Sequence, residues 1–151
     1  EVKDEYGEYL DEILYMPIVH LDDQKDFRQK FDGKDKPLPE VTPEKMKACQ
    51  DTARKEIADH LKVLKPCAFE LLYATDRNEL PFKLKKELKG KALIWYNCLW
   101  DTMAGGHDDD AAMEDINNGY GFLIDRLGCN IIQTDRPAMV LEYLRKRKLH
   151  E

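Results

Sequence analysis

Two stretches decide how this chain folds: Leu93-Ile94-Trp95-Tyr96-Asn97-Cys98-Leu99-Trp100 and Asn130-Ile131-Ile132-Gln133-Thr134-Asp135-Arg136-Pro137. Each begins as a short apolar run rich in strand formers and ends in polar residues, and a helix-compatible segment separates them. That is the pattern of consecutive strand-loop-helix units. In a parallel α/β protein the strands bury their sides, so polar groups gathered at their carboxyl ends mark where ligands bind.

Working outward, four apolar runs read as strands, at residues 13–19, 67–73, 92–96 and 130–133. Thr42-Pro43-Glu44 has the form of an N-cap followed by proline at the first helical position. Met46, Cys49, Ala53, Ile57, Leu61 and Leu64 then recur at three- or four-residue spacing, one buried helix face that ends before Pro66. A shorter helix is expected over 80–88, stopped by Gly90. A third places Met113, Ile116, Tyr120, Ile124 and Leu127 on one stripe and closes at Gly128. A fourth starts just after Asp135, whose carboxylate can cap it. Every strand is separated from the next by a helix, which favours parallel pairing. Residues 22–40, charged and holding Gly33, Pro37 and Pro39, read as a loop insertion.

With 151 residues the chain is one ordinary domain in size, short of the roughly 250 of a complete α/β barrel. Hydrophobic residues at 42% and charged residues at 36% argue for a folded chain over a disordered one. A net charge of -6 argues against a nucleic-acid groove. The basic run Arg145-Lys146-Arg147-Lys148 suits the negative end of a helix dipole. Cys49, Cys67, Cys98 and Cys129 lack zinc-ligand spacing, and the last three read as small apolar residues in or beside strands. No apolar run reaches the roughly 20 residues that span a bilayer. Without an initiating methionine, Glu1 is expected to be a cut point.

Several polar residues are candidates for chemistry. Glu70 lies inside an apolar strand, where a lone carboxylate needs a cation, a metal or hydrogen-bond donors, as a structural ion pair or a ligand-facing group. Asn97 can bond a substrate hydroxyl or phosphate oxygen, or order its own turn. Trp100 can wall an apolar or glycerol-like group, or pack under its loop. His107 with Asp108, Asp109 and Asp110 is dense in metal donors, yet consecutive residues cannot all converge on one ion, and helix capping explains the carboxylates as well. His20 beside Asp22 could serve acid-base chemistry but has no second partner in sequence. His60 and His150 read as surface residues. Asp135 is strand end and helix cap together, and Arg136 could pair with a phosphate or a carboxylate.

Taken together, these residues make the chain resemble the carboxy-terminal half of glycerophosphodiester phosphodiesterases. Members commonly end with a strand reading roughly v-x-v-W-x-x-N and a later strand closing on T-D-x-P. The corresponding residues here are Leu93-Ile94-Trp95-Tyr96-Asn97 and Thr134-Asp135-Arg136-Pro137. The 100–110 stretch, Gly121-Phe122-Leu123-Ile124-Asp125, Leu141-Glu142-Tyr143-Leu144-Arg145, Tyr15-Met16-Pro17-Ile18-Val19 and Ala68-Phe69-Glu70 resemble a bacterial branch. The resemblance implies an α/β fold in which parallel β/α units form the carboxy-terminal half of a TIM-type barrel, strands five to eight of eight, over residues 1–151. It implies metal-dependent hydrolysis of glycerophosphodiesters to glycerol 3-phosphate and an alcohol, with calcium or magnesium as cofactor. The family's His-Arg pair and its Glu-x-Asp metal motif have no counterpart here, so catalytic residues and metal ligands are expected upstream of this chain.

Glu70, Asn97, Trp100 and Asp135 carry over as substrate-pocket residues, with His20 and His107 as lesser polar candidates. The partners implied are the substrate and either the missing amino-terminal half or a second copy that closes the barrel, without nucleic acid or a membrane span. The resemblance leans toward a periplasmic or secreted setting. A rival reading is a noncatalytic half-barrel that binds a phosphorylated ligand or self-associates. Another phosphate-recognising barrel enzyme is a third.

Overall fold

A computed structural model describes residues 2–10, 12–22 and 42–151. Four strands, β1 (Ile18–His20), β2 (Ala68–Leu72), β3 (Leu93–Asn97) and β4 (Ile131–Gln133), form one parallel sheet in the order β1-β2-β3-β4. Strand order follows sequence order without reversal. The fold is mixed α/β, as the alternation of elements predicts. The expected loop insertion lies, beyond Asp22, outside the described residues.

The helices follow local chemistry. Besides the short α1 (Val2–Tyr6), α2 (Pro43–Val63) begins where expected, with the Thr42 side chain accepting from the Lys45 amide at 3.2 Å and proline in the first turn. Lys65 leaves it with a φ of 47°. α3 (Leu80–Glu87) ends ahead of Gly90, which takes a φ of 75°. α6 (Pro137–Lys146) follows β4.

The third expected helix is broken. It consists of α4 (Asp109–Glu114), a π-helical turn (Asn117–Gly121) and α5 (Phe122–Asp125). Asp115 leaves the helical backbone at φ -147°, ψ 108°, and its carboxylate accepts from the Asn117 amide instead, the competition a short acidic side chain sets up. Met113, read as part of the buried stripe, is consequently exposed, while Tyr120, Leu123 and Leu127 are buried. Gly119 makes the broken geometry possible, since a Cβ there would lie 2.4 Å from the Ala112 Cβ. Gly128 does close the segment, at φ 71°.

Strand side chains alternate between faces, so the register sorts them. Val19, Phe69, Leu71, Ile94 and Tyr96 share one face and pack with Ile57 of α2, Leu84 of α3, Leu123 of α5 and Val140 of α6 in a single core. The other face carries Ile18, Glu70, Trp95 and Ile131 in one row and His20, Leu72, Asn97 and Gln133 in the next. Ala68 and Leu72 on that side are buried but stand apart from the core cluster. Helices α2 to α6 therefore contribute to the core on one face of the sheet.

Candidate functional site

The carboxyl ends of the strands are fastened by three polar hubs. At the first, the Asp22 carboxylate, just past β1, accepts from the Ala74 amide at 3.0 and 3.1 Å and from Asn78 Nδ2 at 3.4 Å. Asn78, fully buried, also donates to the Leu21 carbonyl and accepts from Gln50 Nε2. These bonds tie the end of β1 to the β2-α3 loop.

The second hub is Asp109, at the start of α4. Its Oδ1 accepts from the Tyr120 hydroxyl at 2.8 Å and the Thr134 hydroxyl at 2.7 Å, and its Oδ2 from the Asp135 amide at 2.8 Å. Three neutral donors stabilise a buried carboxylate here. Burial, with the adjacent Asp109 charge adding to it against the Thr134 hydrogen bond, pushes the Tyr120 phenol above its usual range. Asp109 thereby holds the turn after β4.

His107 centres the third. Its ring stacks on Phe122 with centroids 3.6 Å apart, Nδ1 meets the Asn118 carbonyl at 2.5 Å and Nε2 meets Asp76 Oδ2 at 2.8 Å. Both ring nitrogens are thus engaged in fastening the loop. Tyr73 adds to the same hub through Asp76 and pairs in parallel with Ala104. The loop after β3 thus folds back over the end of β2. Gly105 permits it, at φ 66° and with a would-be Cβ 2.4 Å from the Tyr73 ring.

The run Asp108-Asp109-Asp110 does not form a metal cage. Asp108 caps α4 by accepting from the Ala111 amide at 2.8 Å, Asp109 faces Tyr120 and Thr134, and exposed Asp110 lies 3.7 Å from Arg136. Among the described residues no three His, Cys, Asp or Glu side chains gather to hold an ion.

Glu70 and Asn97 are brought together. Both are buried, and Asn97 Nδ2 donates to Glu70 Oε1 at 3.4 Å while Asn97 Oδ1 accepts from the Leu99 amide at 3.1 Å. Asn97 fills both roles its sequence position allows. Trp100 is 47% exposed on the folded-back loop, and His20 is exposed at the end of β1. Asp135 is corrected: it is exposed and does not cap α6, because Arg136 takes the N-cap position and it is the Thr134 hydroxyl that accepts from the Arg136 amide. His60 is also corrected, being partly buried between Tyr15 and Phe69.

Two residues were not singled out from sequence. Strand alternation from Asn97 places Trp95 on the Glu70 face, directly beside Glu70 in the register, and puts Gln133 opposite Asn97. The Trp95 indole N–H is buried without a hydrogen-bond partner among the described residues.

A family profile described as a domain of unknown function matches residues 42–144. No curated protein matches the chain. No helix among the described residues is long and apolar enough to cross a membrane.

Proposed function

We propose a function for a chain that belongs to the DUF4996 family, a domain of unknown function: its four β/α units are half of an eight-stranded barrel and form the substrate-facing wall of a metal-dependent glycerophosphodiester phosphodiesterase. One observation carries the reading. Four parallel strands follow one another in sequence order with their helices on one face, and Glu70, Asn97 and Gln133 occupy the other near the carboxyl ends. A sheet of that kind has two open edges, which closing into a barrel removes. Barrel enzymes bind ligands at those strand ends.

In such an enzyme water attacks phosphorus and the alcohol leaves. In this reading the calcium or magnesium ion, its ligands and the acid-base groups belong to the complementary half, because the family's His-Arg pair and Glu-x-Asp motif have no counterpart in this chain. What this chain contributes is position. Asp109 and His107 fix the rim loops, and Glu70 with Asn97 present a donor-acceptor pair to the interior. Four further units supplied by a longer polypeptide, or by a second copy, would cover Ile18 and Leu93, which are 51% and 47% exposed.

Hydrolysis of bis(p-nitrophenyl) phosphate and glycerophosphocholine, with and without calcium or magnesium, tests the reading. The expected result is no turnover by residues 1–151 alone and metal-dependent turnover by a polypeptide that carries a complete barrel. Robust turnover by the isolated chain would overturn this division of labour, and inactivity of the complete barrel would overturn the enzyme reading. In the rival reading, a self-associating half-barrel without catalysis, the same chain runs as a dimer in a size measurement.

A further inference from the structure

We infer that the helix-free face takes the uncharged, hydroxyl-bearing part of a ligand and leaves its phosphate to groups elsewhere. The inference rests on the reading above, because it assigns one end of the proposed substrate to this half.

Three observations carry it. The polar side chains on this face are a carboxylate, two amides and an imidazole, Glu70, Asn97, Gln133 and His20, and the strands place no lysine or arginine there. A buried carboxylate repels an anion, whereas carboxylate and amide together accept from and donate to hydroxyls. Second, the nearest rim cation after β4, Arg136, is turned toward Asp110 at 3.7 Å. Third, the face has hydrogen-bonding capacity left over. Asn97 gives one of its two amide protons to Glu70 at the long distance of 3.4 Å, and the buried Trp95 N–H, beside Glu70 in the register, has no acceptor among the described residues. An unsatisfied buried donor is costly, and an incoming hydroxyl oxygen that the indole turns to meet relieves the cost. A polyol matches this set, since each hydroxyl both donates and accepts.

The test is NMR on residues 1–151, following the Trp95 indole and the Asn97 and Gln133 side-chain amides during titration with glycerol, inorganic phosphate or 1-propanol. Trp95→Phe and Trp100→Phe assign the two indole signals. Glycerol is expected to shift the Trp95 and Asn97 signals saturably with a Kd on the order of 1–10 mM, in keeping with six heavy atoms. Phosphate and propanol leave them in place. Glu70→Gln weakens glycerol binding about tenfold or more, as loss of a charged acceptor does. Equal shifts with propanol, shifts with phosphate instead of glycerol, or no shift with glycerol in the wild-type chain would each overturn the inference. Binding is read without turnover, so a failed phosphodiesterase assay leaves a positive result standing, and successful hydrolysis does not rescue a negative one.

Discussion

On one face of the sheet Val19, Phe69, Leu71 and Tyr96 are fully buried beneath helices, whereas on the other Ile18 and Leu93 are half exposed and Glu70 and Asn97 are buried polar groups. The strands are the same and alternate residues are assigned to each side. Burial of apolar area, at about 25 cal/mol per Å², gives the first face its share of stability. The second face spends positions that could have been apolar on groups that are costly to bury. That face therefore contributes less apolar burial to holding the domain together.

Substitutions on opposite sides of one strand pair break this contrast most directly. Phe69→Ala should cost about 3–5 kcal/mol in urea unfolding, by lost transfer energy and a cavity against α2. A loss below about 1 kcal/mol would mean that the helix-covered face is not the core. Asp109→Ala strips the shared acceptor from Tyr120, Thr134 and the Asp135 amide, at an expected cost of about 2–4 kcal/mol. Chemical shifts that stay fixed after β4 in that variant would show that the turn does not depend on Asp109.

High pH should also act through the covered face. Burial pushes the Cys129 thiol up to about 12, and it raises the Cys98 thiol and the Tyr96 phenol as well. The unfolded thiol loses its proton near pH 8.5 while the folded one keeps it, so the folded state binds more protons and stability falls as pH rises from about 8.5 toward about 12. Unfolding midpoints that hold steady across pH 8–11 would contradict this. The same shift keeps Cys98 and Cys129 protonated at neutral pH, so iodoacetamide should modify the partly accessible Cys49 and Cys67 first.

The smallest effects belong to the helix-free side. Ile18→Ala and Glu70→Gln should each change stability by less than about 1 kcal/mol, the former because Ile18 is half exposed, the latter because it removes a buried charge whose side-chain hydrogen bond among the described residues is a long one to an amide. A destabilisation above about 2 kcal/mol by Glu70→Gln would make Glu70 a structural group.

Much of this contrast was legible in sequence. Thr42-Pro43 announced α2 because capping chemistry is local, and the isolated Glu70 announced a buried carboxylate because an apolar strand gives it nowhere else to go. The four strands and their parallel pairing followed from the β-α alternation. Less legible were features set by distant partners. Met113 fell on an apolar stripe, but Asp115 breaks the helix before the stripe can form. Asp135 looked like a cap, yet Thr134 serves the Arg136 amide because Asp109, 25 residues earlier in the chain, fixes its hydroxyl. Trp95 and Gln133 emerged only once the register showed which side of the sheet each faces.

The unreversed strand order has a consequence for how the chain is made. During synthesis each strand leaves the ribosome with its partner already finished, so the sheet can grow one strand at a time without waiting for a later segment to slot between earlier ones. Among the described residues, the outer edges of β1 and β4 both lack a strand partner. A sheet assembled this way keeps its first-made and last-made strands at its two margins, so its two edges are exposed to pairing at different times during synthesis.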